Sequence, residues 1–111
     1  MNRLTVILVL ALAASLEAGG DALIRVGVRS SDGRSRFLWF SLGAMVLFLY
    51  GLIVNAPAWN FGRLIGLYVV FFFVAAQLIS WLTLNEIPSR STILGGLLIL
   101  GGGIVIVVTE A

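Results

Sequence analysis

Glu17, Asp21 and Arg25 stand at four-residue intervals in "LVLALAASLEAGGDALIRVGVR", residues 8–29, a stretch that is otherwise almost wholly apolar. A charge at the centre of a hydrophobic helix costs roughly 2.5–3.5 kcal/mol on insertion scales, so such residues mark proton or ion chemistry or pair with one another. A helix advances about 100° per residue, and the three therefore drift only about 40° per step along one face. Ala13, Gly20 and Ile24 complete that face and leave a small-residue groove around the carboxylates. Arg25 lies near the helix end and can snorkel to water. An Asp21–Arg25 ion pair would then largely neutralise both. Glu17 has another acid at i+4 and no base within the preceding turn. Neighbouring carboxylates in a low dielectric disfavour each other's charged form. Glu17 is therefore expected to carry a proton for part of its cycle and to exchange it for a cation. The plainer alternative is a neutral Glu that hydrogen-bonds a neighbouring helix.

Other chemistries are thinly supplied. The chain has no Cys and no His, and all seven of its positive residues are Arg. Disulfides, thiolate nucleophiles, the commonest metal ligand and general base, and lysine Schiff bases are thus excluded. No phosphate loop or nucleophile with its base is present either. We expect no enzyme activity, no catalytic residue, no metal and no cofactor. Nucleic acid is not an expected partner, because the arginines concentrate in "RVGVRSSDGRSRF", a short connection of cytoplasmic-loop character.

Lipid is the natural solvent for the elements that carry these residues. The 111 residues are 60% hydrophobic and 11% charged, less than half the usual charged share. Four apolar runs, at about 4–26, 37–54, 63–84 and 92–108, each approach the roughly 20 residues that cross a bilayer. Pro57 and Pro88 punctuate the second and third connections. The expected fold is a single all-α membrane domain, residues 1–111, of four transmembrane helices joined by short loops. "MNRLTVILVLALAASLEA" has the look of a signal peptide with Ala11 and Ala13 at its A-x-A, but the apolar character continues past that site, so the segment is read as the first span. Arg3 and Arg63 lie on one side of the bundle, and Arg25, Arg29, Arg34, Arg36 and Arg90 on the other. That imbalance predicts both termini outside the cytoplasm of a plasma (inner) membrane. Trp39, Trp59 and Trp81 fall near span ends, as interfacial aromatics do.

In the last run, "ILGGLLILGGGIVIV", Gly95 and Gly102 stand seven residues apart, as do Gly96 and Gly103. Heptad spacing keeps each pair on one face and permits close backbone approach. They are read as dimer contacts, against the alternative of packing within one subunit.

Glu17, Gly20 and Arg25 resemble the first-helix "E-x-x-G-x-x-x-x-K" of the small multidrug resistance transporters, within the drug/metabolite transporter superfamily. Tyr68, Trp81 and Gly95 keep the spacing of that family's third-helix aromatic, its Trp and a last-helix Gly. "PAWNFGRLIGLY" is similar to the Pro…Gly-Arg…Tyr pattern of the YnfA-like branch, and "NEIPSRSTILGGLLILGG" resembles the last hairpin of the wider superfamily, including small subunits of lipid-linked sugar flippases. The resemblance implies a proton-coupled antiporter that exports a small cationic or amphipathic compound through a dimer site centred on Glu17. Asp21 would share that site, with Tyr68 and Trp81 as aromatic neighbours for a cation. It also implies a partner subunit, either a second copy or an oppositely oriented relative, and the family's homodimers are antiparallel. A flippase-type or accessory subunit acting with a different chain is the alternative. Asp21 stands where a neutral hydroxyl residue is usual, and Val70 and Phe72 stand where the family's third-helix glycine hinge would be.

Overall fold

The computed structural model describes residues 2–110, in which Arg3–Arg29 form α1, Gly33–Val54 α2, Phe61–Thr83 α3 and Arg90–Glu110 α4. A polar side chain caps the start of each helix by accepting an otherwise orphaned backbone N–H. Asn2 accepts from Thr5 at 2.8 Å, Asp32 from Ser35 at 3.2 Å, Asn60 from Arg63 at 3.3 Å and Ser89 from Thr92 at 3.2 Å. These caps explain why helices begin before the apolar runs do. α2 starts at Gly33 instead of Phe37, because Asp32 supports a polar first turn that hydropathy does not register.

The helices have 27, 22, 23 and 21 residues, and all four are long and apolar enough to cross a membrane. Large apolar side chains cover the outside, among them Met45, Phe48 and Leu98, each at least 70% exposed. No water-facing surface tolerates that much exposed hydrocarbon. The chain is a membrane protein of four transmembrane helices.

α1 is the central element: it packs against α2 on one side and α3 on the other, while α4 lies against α3 alone. The result is a slab of 50 × 34 × 19 Å, about two helix diameters deep. Its buried core joins Val6, Leu10, Ala13 and Ala14 of α1 to Val54 of α2 and to Leu64, Leu67 and Tyr68 of α3. Lipid provides no hydrophobic force between helices, so the contacts depend on close shape, and small residues supply it. Gly20 and Gly43 let α1 meet α2, since a side chain at Gly43 would strike Ile24 and the Gly20 carbonyl.

The glycines of α4 divide between two faces. Gly96 lies against Phe73 and Gly103 against Val70, the packing within one chain that is the alternative to a dimer contact. Gly95 and Gly102 have open space where a side chain would stand. Adjacent helical residues point about 100° apart, so only one of each neighbouring pair can face α3.

Candidate functional site

Glu17 lies near the middle of α1, half-buried, on the side where α1 meets α2 and α3. The Tyr68 hydroxyl of α3 donates a hydrogen bond to Glu17 Oε1 at 2.7 Å, and it also lies 3.4 Å from the Ala13 carbonyl oxygen. Tyr68 is only 4% exposed. Its ring is held between Tyr50 of α2, at 5.6 Å between centroids, and Phe72 of α3, at 6.3 Å. Packing on both faces leaves the phenol few rotamers, so the hydroxyl is aimed at the carboxyl before any ligand arrives. The Tyr68 hydroxyl thus holds Glu17 from one side, with the Ala13 carbonyl as a second acceptor within its reach.

Asp21 lies one turn further along α1 and is exposed. The expected Asp21–Arg25 ion pair is not the one formed. Arg25 Nη2 instead reaches Glu86 Oε2 at 3.1 Å, from the end of α1 to the connection between α3 and α4. The reason lies in the end of α3. Asn85 takes a left-handed conformation at φ 56°, which a short polar side chain tolerates, and turns the chain back so that Glu86 N–H donates to the Ser80 carbonyl at 2.9 Å. The Ser80 hydroxyl donates to Glu86 Oε1 at 3.1 Å and fixes the carboxylate toward Arg25. Among the described residues Asp21 has no hydrogen-bond or ion-pair partner within the chain. A cavity of about 260 Å³ opens beside it, bounded also by Ala18, Arg25, Phe72, Ser80 and Glu86.

The structure brings together two of the four residues expected at the proton or substrate site, Glu17 and Tyr68. Asp21 borders the adjoining cavity. Trp81 does not join them within one chain: it stands thirteen residues from Tyr68, about 20 Å along α3, and is 55% exposed. Sequence reasoning missed Tyr50, Ser80 and Glu86. Glu86 had a signal, since "NEIPSR" puts a carboxylate in the loop at the same end of the bundle as Arg25. Tyr50 had none, because nothing local distinguishes an aromatic that faces α1 from one that faces lipid.

The chain is 36% identical to a UPF0060 membrane protein of Clostridium beijerinckii over 108 residues, which is 96% of this chain and 95% of the relative. It belongs to the UPF0060 family of membrane proteins. A member from Rhodococcus erythropolis is 38% identical over 98 residues, covering 86% of this chain and 87% of its own, and one from Clostridium perfringens is 34% identical over 108 residues, covering 96% and 95%. The likeness therefore spans all four helices and the site between them. No family model matches the chain. No solved structure matches it either.

Proposed function

We propose that this chain is a proton-coupled transporter that exports a small cationic or amphipathic compound across the plasma membrane through a dimer site centred on Glu17. The observation that carries the reading is the 2.7 Å bond from a buried tyrosine to a carboxyl group at mid-span. A carboxylate at that depth is costly unless it is paired or protonated. A proton and an organic cation are alternative ways of meeting that cost, and occupancy by one excludes the other. Competition of this kind couples the two movements. The Tyr68 hydroxyl stabilises the carboxylate left when the proton departs. The resemblance to the small multidrug resistance proteins, closest in pattern to the YnfA-like branch, supports this assignment.

Four helices in a slab two helices deep do not enclose a polar path, so the proposed working unit is a dimer with itself or with an oppositely inserted relative. Gly95 and Gly102, open on α4, are the contact positions that remain for it. The arginine imbalance supports both termini outside the cytoplasm in the majority orientation. Proton-driven flux of candidate organic cations into liposomes of pure protein tests the reading. Wild type is expected to accumulate substrate, and Glu17→Gln to lose accumulation while still inserting. Accumulation by the Gln variant against a gradient would overturn it.

One observation favours the alternative, a flippase-type or accessory subunit. Val70 stands in the hinge region of α3 where the resembled family has glycine, so the backbone there has less conformational freedom for bending. Flux only on addition of a different chain would support that second reading.

A further inference from the structure

Among the described residues a single polar contact ties the connection between α3 and α4 to α1, from Arg25 Nη2 to Glu86 Oε2 at 3.1 Å. The tie crosses the rim of the cavity between α1 and α3. Ala18 and Phe72 stand at the deep end of that cavity, and Arg25, Leu84 and Glu86 stand where the two helices finish. Glu86 is set in place from the α3 side. Ser80 donates to its other carboxylate oxygen, and the left-handed Asn85 turns the chain back toward α1. Arg25 has no second hydrogen-bond partner among the described residues.

Asp21 lies one turn deeper on α1, on the wall of the same cavity, with its carboxylate free. Residues four apart on a helix are neighbours, and an acid placed N-terminal to a base is the favourable order. Side chains also lean toward the N-terminus of their helix, which carries Arg25 back over Asp21 unless something draws it away. Glu86 draws it away. Yet both side chains of that pair are about half exposed, and ion pairs so exposed are individually weak. Release of Glu86 would normally strand a guanidinium at the edge of the membrane, where an unpaired charge is costly. A second carboxylate within reach removes that cost.

We infer that Arg25 is a two-position latch, which closes the outer end of the α1–α3 cavity when it pairs with Glu86 and opens it when it pairs with Asp21. In the second position the α3–α4 connection is free and the guanidinium remains paired. Asp21 is the landing place that makes opening inexpensive. Its carboxylate thus has a role that needs no ligand and does not depend on the exchange chemistry assigned to Glu17.

The test is continuous-wave EPR of the full-length protein in liposomes, with one spin label on Ile87→Cys in this Cys-free chain. Ile87 is next to Glu86 and 79% exposed. The otherwise wild-type chain should give two components, a slow one from the latched connection and a fast one from the released connection. Asp21→Asn removes the landing place and should lower the fast-to-slow ratio about twofold, the scale of one i, i+4 ion pair. Asp21 is exposed and unpartnered, so the Asn variant gives up no packing. Asp21→Glu should restore the ratio. Arg25→Gln and Glu86→Gln should each leave the fast component dominant. A ratio unchanged or raised in Asp21→Asn would overturn the proposal, because a latch with one position does not sense Asp21. A single component in the otherwise wild-type chain would also overturn it, as would a slow component undiminished in both Arg25→Gln and Glu86→Gln.

Discussion

Glu17 and Asp21 are carboxylates one helical turn apart on the same helix, yet the fold gives them opposite surroundings. Glu17 points to where three helices converge, and a buried phenol donates to it at 2.7 Å. Asp21 points to where α1 and α3 leave a cavity, and the guanidinium one turn away turns to Glu86 instead. Residue type and local spacing are nearly identical for the two. What separates them is tertiary: which neighbouring helix ends in a left-handed turn, and which carries a tyrosine at the facing level. A carboxyl group that is held has one defined exchange partner, whereas one left free is open to whatever approaches from the membrane.

Glu17→Gln should have the largest effect, a loss of proton-driven flux of at least about a hundredfold with helicity and insertion unchanged, since no other group replaces the exchanged proton. Tyr68→Phe keeps the ring stack and removes only the hydroxyl. Cation-binding affinity should fall about tenfold, on the scale of one hydrogen bond to a charged group, as read by binding titration at fixed pH. Asp21→Asn should lower flux less than Tyr68→Phe does, by under about fivefold, and a loss equal to that of Glu17→Gln would make the two carboxylates one site. The smallest effect belongs to the Arg25–Glu86 pair, whose side chains are 42% and 51% exposed. A double-mutant cycle with Arg25→Gln and Glu86→Gln should return a coupling of about 1 kcal/mol or less in thermal stability.

Much of this was legible in the sequence where the signal was local or periodic. The four spans followed from runs of apolar residues, and the pairing of Glu17 with Tyr68 from the spacing shared with a known transporter family. The Asp21–Arg25 expectation failed because the i, i+4 rule sees one helix only. It had no knowledge of the turn at Asn85 that carries Glu86 across to Arg25. The roles of the α4 glycines depended on rotation about the helix axis, which heptad spacing leaves undetermined: Gly96 and Gly103 face Phe73 and Val70, and Gly95 and Gly102 face out. Trp81 keeps the family's spacing, but about 20 Å of helix separates it from Tyr68, so spacing alone did not bring it to the carboxyl group.

The most direct measurement of the central claim is proton release from purified, detergent-solubilised protein on addition of organic cations in weak buffer. A carboxyl group that exchanges its proton for a cation should release protons saturably with each binding event, less as pH rises and the group is already ionised, and not at all in Glu17→Gln. Cation binding by wild type with no proton release, or equal release by wild type and Glu17→Gln, would contradict the assignment of Glu17 as the exchange site.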